Sequence, residues 1–128
     1  MKKLLTTLLA AGLFALGATA ASAQTAPKSV IHVVTVAWKE GTTPQQIEAA
    51  LAGAQALPAA YKGLTHVWTK AIKVQDAPGA TLKKSNVIVM EFSDEAAFKA
   101  YTDSPAQKEW YKVYMPIRQQ STTFDITN

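Results

Sequence analysis

The sequence predicts an α+β fold: a single small domain in the order βαββαβ, with helices over one face of a four-stranded antiparallel sheet. Three observations carry that prediction. Segments dense in β-branched residues alternate with segments of helical spacing, and capping or turn residues separate them. Removing an N-terminal leader of 23 residues from the 128 leaves 105, the size of one domain. There is no Cys, so neither a disulfide nor a lipid-modified N-terminus is available, and buried core has to hold the domain together.

The leader reads in three parts. Lys2 and Lys3 form a positive start, Leu4 to Ala20 is an apolar run, and Ala21-Ser22-Ala23 offers small side chains where a signal peptidase cuts. Residues 1–23 are therefore expected to be a signal peptide cleaved before Gln24. A retained membrane helix is the competing reading, but Thr6, Thr7, Gly12, Gly17 and Thr19 interrupt a run already short for a span. The expected destination is outside the cytoplasm, in a bacterial periplasm or secreted, with no membrane attachment after cleavage. Losing the leader lowers Lys plus Arg from 13 to 11 against 9 acids, a net charge of +2. No basic run exceeds Lys83-Lys84, so nucleic acid is not an expected partner.

Residues 24–28 read as a loose leader, and the domain is expected over 29–128. Ser29 to Trp38 is the first strand, apolar on both sides: Ile31, Val33, Thr35 and Ala37 on one, His32, Val34, Val36 and Trp38 on the other. Thr43-Pro44-Gln45-Gln46 is a capping box with Pro in the first turn. Ile47, Ala50, Leu51, Ala54 and Leu57 then give a buried stripe. Pro58 is expected to stop this helix near Leu57, because proline disfavours helix in the residue before it. Leu64 to Val74 is a second strand, with His66, Trp68 and Lys70 on one side. Gln75 to Lys84, with Pro78-Gly79, is a loop.

Asn86 to Phe92 is the third strand, again apolar on both sides, with Val87 and Val89 opposite Ile88, Met90 and Phe92. Ser93, Asp94 and Glu95 start a helix that buries Phe98 and Tyr101, since acids suit its positive end. Ser104-Pro105-Ala106-Gln107 reads as a second capping box, with Trp110, Val113, Tyr114 and Ile117 as the stripe behind it and Pro116 at its end. Ser121 to Thr127 is the last strand, Thr123 and Asp125 alternating with Phe124 and Ile126.

This order is that of a ferredoxin-like split βαβ unit. A sheet with helices on one face normally alternates apolar with polar residues. The first and third strands, central in this topology, do not alternate. Leaving Ile31, Val33, Val87 and Val89 in water costs about 1.5–3 kcal/mol each relative to burial. With no spare helix in the chain, the expected cover is a second copy, with Ile31, Val33, Thr35, Val87 and Val89 at the dimer interface. Glu91 shares that face and is expected to meet Lys or Arg at its rim.

With these elements placed, the chain resembles the stress-responsive dimeric α/β-barrel (Dabb) family across essentially the whole domain. The resemblance rests on His32-Val33-Val34 running on to Trp38-Lys39-Glu40-Gly41-Thr42-Thr43, and on Val87 to Phe92 ending in Ser93. It continues through Phe98, Tyr101, Pro105-Ala106, Met115-Pro116 and Phe124-Asp125. It implies a homodimeric α+β barrel without a cofactor. Some family members cyclise polyketides in a pocket between sheet and helices, whose positions correspond to His32, Asn86, Tyr101, Ser104 and Gln107. The family pattern carries His at the positions of Ser104 and Gln107, and the cyclising members place another at Asn86; this chain has none of the three. Glutamine cannot accept and return a proton near neutral pH, so the family's base is missing.

Two functions follow as expectations. The first is an exported, non-enzymatic homodimer, or one that binds a small apolar or aromatic molecule in the sheet–helix cavity. Trp38, Trp68, Trp110, Tyr101, Tyr111 and Tyr114 are the aromatic candidates for its walls. The alternative is a cofactor-free enzyme in which His32 and Tyr101 are the catalytic candidates. No metal is expected: His32 and His66 lie two strand spacings apart, roughly 9–10 Å, too far to share a zinc ion. Haem lacks an axial His on the second helix.

Overall fold

The computed structural model describes residues 27–73, 79 and 82–127. The expected signal peptide 1–23, most of the leader 24–28, Val74 and most of the loop 75–84 lie outside the described residues. The elements are β1 (Val30–Trp38), α1 (Pro44–Gln55), α2 (Leu57–Ala60), β2 (Leu64–Ala71), β3 (Asn86–Phe92), α3 (Glu95–Tyr101), α4 (Pro105–Tyr114) and β4 (Arg118–Ile126). The strands form one sheet in the order β2-β3-β1-β4, every neighbouring pair antiparallel. This is the ferredoxin-like split βαβ topology.

The helices start where their caps place them. Thr43 Oγ1 accepts from Gln46 N–H at 3.2 Å while Gln46 Oε1 accepts from Thr43 N–H at 2.9 Å, a reciprocal box. Asp94 accepts from Ala97 N–H at 2.7 Å to open α3. Ser104 Oγ accepts from Gln107 N–H at 3.2 Å, but the return bond is displaced: Gln107 Oε1 accepts from Asp103 N–H at 2.8 Å. The Ser104 N–H donates instead to Tyr101 carbonyl oxygen at 3.0 Å. Asp103 takes a left-handed backbone, φ 64°, to make that link.

Three boundaries and one buried position differ from the sequence reading. Helix α1 ends at Gln55, and Pro58 sits in the first turn of α2, where its missing N–H leaves no bond unmade. Strand β2 stops at Ala71. Strand β4 starts at Arg118, three residues early, because a register shift beside Ala37 and Trp38 lets it pair along all of β1. Val113 lies outside the buried stripe of α4 and is 44 % exposed.

The core lies between helices and sheet, around Val36, Leu64, Ile88, Met90 and Phe92. Buried Ala50 and Ala54 keep the inner surface of α1 low, so α4 packs closely. Trp110 exploits this: its Nε1–H donates to Ala50 carbonyl oxygen at 2.9 Å, and its ring stacks on Tyr114 with centroids 4.5 Å apart.

The register sorts the strand residues onto two faces. His32, Val34 and Val36 face the helices together with Ile88, Met90 and Phe92. The opposite face carries Ile31, Val33 and Thr35 on β1, Val87, Val89 and Glu91 on β3, Trp68 on β2, and Phe124 and Ile126 on β4. No element among the described residues covers it: Trp68 is 47 %, Phe124 56 % and Ile126 60 % exposed. Glu91 meets His66 rather than Lys or Arg, with Oε2 2.9 Å from Nδ1, and the His66 ring stacks on Trp68. Cross-strand pairing of β2 with β3 puts His66 directly opposite Glu91.

Candidate functional site

A cavity of about 250 Å³ lies between the helix-facing side of the sheet and helices α3 and α4. It is slightly smaller than the roughly 300–1,000 Å³ of common ligand pockets. Val34, Met90, Phe98 and Trp110 form its apolar wall. The polar lining comes from three directions: His32 on β1, Tyr101, Gln107, Tyr111 and Tyr114 on the helices, and Arg118, Ser121 and Thr123 on β4.

His32 pairs across the strands with Asp125, and its Nδ1 lies 2.5 Å from Asp125 Oδ1. The ring packs against Phe98, centroids 5.1 Å apart. A carboxylate oxygen only accepts, so Nδ1 is the donor in this contact, and in a neutral ring Nε2 is then the lone-pair nitrogen. No other described residue hydrogen-bonds His32.

Tyr101 is 2 % exposed, held edge-on between Phe92 and Tyr61. Its hydroxyl is buried and has no hydrogen-bond partner among the described residues, and the same is true of Arg118 Nε; the Tyr114 hydroxyl is buried beside Ser121 and Arg118. Two unpaired polar atoms on residues lining one small cavity are unusual, because a buried polar group left unpaired costs about 1–3 kcal/mol. Burial pushes the Tyr101 phenol well above the ordinary tyrosine range, and nearby Tyr111 adds to the shift. Burial likewise raises Tyr111, against the lowering charge of Arg118, and Tyr114, against the lowering influence of the Ser121 hydroxyl and Arg118 beside it. All three stay protonated and able to donate at neutral pH.

Of the ligand positions expected from the sequence, His32, Tyr101 and Gln107 line the cavity together. Ser104 does not; it is buried as the cap of α4. Asn86 faces the helices beyond the cavity, where its Oδ1 accepts from Trp38 Nε1–H at 2.8 Å. Among the aromatic candidates, Tyr101, Trp110, Tyr111 and Tyr114 line the cavity, whereas Trp38 and Trp68 do not. His32 and His66 lie on opposite faces of the sheet. Among the described residues, no group of three or more His, Asp or Glu is placed to hold a metal ion.

Sequence reading missed Asp125, Arg118 and Ser121 as site residues. Asp125 left a signal, since it alternates with Phe124 and Ile126, but only the register puts it opposite His32. Arg118 fell outside the strand expected to begin at Ser121.

Sheet order, helix placement and cavity together define a ferredoxin-like α+β protein with a cavity between its sheet and helices. Residues 30–128 match the Stress responsive A/B Barrel Domain, and the chain belongs to that family. Among curated proteins, no sequence matches it. Solved structures share the fold. A protein of Arabidopsis thaliana is similar at 17% identity and TM-score 0.67, covering 77% of this chain and 94% of its own. A dimeric ferredoxin-like protein of unknown function from Thermobifida fusca has 22% identity and TM-score 0.63, covering 80% and 92%. The hydroxynitrile lyase of Passiflora edulis has 16% identity and TM-score 0.66, covering 79% and 94%. At these identities the likeness is one of fold.

Proposed function

We propose that the chain is an exported homodimer whose sheet–helix cavity binds a small aromatic or apolar molecule bearing a polar group. The observation that carries this reading is Tyr101, a residue of the cavity wall whose buried hydroxyl has no partner among the described residues. A ligand oxygen or nitrogen supplies the missing bond, and Val34, Met90, Phe98 and Trp110 supply apolar contact. Pairing of two chains is supported by the uncovered apolar face and by the dimeric description of the Thermobifida neighbour. Export is supported by the charged start, apolar run and small-residue triplet at the N-terminus.

Native mass spectrometry of the protein purified from its own host is the direct test. A small molecule should travel with the wild-type protein and be lost from Thr123→Phe, which fills the cavity from its solvent edge. A ligand-free wild type, or equal retention by the filled variant, removes the reading.

A second reading, a cofactor-free proton-transfer enzyme, is favoured by the His32–Asp125 pair. Asp125 holds the ring in the tautomer that leaves Nε2 basic, so Nε2 can take an acidic C–H or O–H proton from a bound molecule. Tyr101 can donate to the oxygen on which charge develops. NMR of acetophenone in deuterated buffer tests this through exchange of its methyl protons. Catalysed exchange should vanish in His32→Gln and persist in His66→Gln; exchange no faster than in buffer alone excludes His32 as a base toward this probe.

A further inference from the structure

Strand β4 lays a row of side chains along the cavity floor. Asp125 pairs with His32 at one end, Thr123 with Val34 in the middle, Ser121 with Val36 beyond, and Arg118 with Trp38 at the far end. Ser121 and Asp125 are four residues apart, which spans ~13 Å at ~3.3 Å per residue. The row therefore carries a guanidinium lining the cavity at one end and, past the lining, a carboxylate paired with His32 at the other.

The guanidinium end has donors to spare. Arg118 is the only Lys or Arg among the residues lining the cavity. Its Nη1–H donates to Ser121 Oγ at 3.0 Å, and its guanidinium carbon lies 5.9 Å from the Tyr114 ring centroid. Its Nε–H is buried and has no partner among the described residues, and the hydroxyl of Tyr114, a residue only 3 % exposed, is buried beside this guanidinium and Ser121. No carboxylate forms an ion pair with Arg118 among the described residues. A guanidinium held this way lacks its counter-charge.

We infer that Arg118 and Tyr114 form an oxyanion site, and that the molecule bound in the cavity carries a carboxylate at this end. The inference rests on the cavity being a ligand site and adds the chemistry of what it takes. One carboxylate accepts from both Nε–H and the tyrosine hydroxyl, and bonds of that kind are about twice as strong as neutral ones. A neutral carbonyl would leave the positive charge uncompensated. Asp125 repels an anion from the opposite end, so the ligand enters with one orientation: anionic group toward Arg118, remainder along Met90 and Phe98 toward His32.

The probes are trans-cinnamate and cinnamamide, which share a planar skeleton and differ in charge. Isothermal titration of the purified protein at low ionic strength should show cinnamate binding about tenfold tighter, the effect of one charge-assisted contact. Arg118→Met should bring the two probes within about twofold. Tyr114→Phe, which removes only a hydroxyl, should reduce the preference severalfold and serves where the arginine variant does not fold. Equal binding of both probes to wild type, or a preference unchanged in either folded variant, overturns the oxyanion site while leaving the cavity reading intact. Failure of both probes to bind wild type at millimolar concentration removes both.

Discussion

Phe124→Ala tests the pairing of two chains through the open sheet face. Phe124 sits opposite Val33 in the register and is 56 % exposed, with Ile126 and Trp68 also uncovered. An aromatic side chain can bury roughly 150–250 Å², so the uncovered part of Phe124 is roughly 100 Å². At about 25 cal/mol per Å², covering it contributes about 2.5 kcal/mol. A two-fold axis counts the residue twice, giving about 5 kcal/mol, or more than a thousandfold in the dimer dissociation constant. Sedimentation velocity over a dilution series should show the variant dissociating at far higher concentration than wild type, with each chain keeping its secondary structure by circular dichroism. A wild type monomeric at micromolar concentration refutes the argument, as does a variant whose dissociation matches wild type. Val33→Asp, which puts a charge at the centre of the same face, should give monomer or aggregate.

Three further outcomes follow from the packing. Tyr101→Phe removes a buried unpaired hydroxyl and should stabilise the ligand-free protein by about 1 kcal/mol, raising Tm by about 4–8 °C. A lower Tm means the hydroxyl has a partner. Trp110→Phe loses the bond to Ala50 and leaves that carbonyl buried, so calorimetry should show a cost of about 1–3 kcal/mol. Alkaline titration should show three late tyrosines: burial raises Tyr101, Tyr111 and Tyr114 above the unfolded value of about 10, so the folded state holds those protons longer. Their contribution is whole below about pH 10 and is lost as pH rises beyond it, so stability should fall there; denaturant midpoints insensitive to pH in that range contradict the burial.

Much of this architecture was legible because local chemistry agreed with tertiary need. Thr43-Pro44 and Asp94-Glu95 mark helix starts through side chains that satisfy backbone N–H groups within three residues, so no distant contact is needed to read them. The β1 and β3 patterns gave both faces of the central strands because β-branched residues recur without a polar period. The Pro58 boundary misled because proline in a first turn and proline after a last turn look alike until the next helix is seen. The site was legible only in part. His32 and Tyr101 attract attention by residue type, but the partner of His32 lies 93 positions away. Pairing register, not composition, brings Asp125 to it, and a shift beside Trp38 brings Arg118 onto the cavity floor.

That separation has a consequence for when the cavity exists. Strand β4 is the outermost strand on its side of the sheet and supplies Arg118, Ser121 and Thr123 to the cavity and Asp125 to His32. A chain with β1 to β3 and the helices assembled but β4 still loose keeps His32 and the helix-borne tyrosines and Gln107 but has no charged group on the cavity. Closing that one border strand acts as a latch that brings the guanidinium to the pocket and the carboxylate to His32 together.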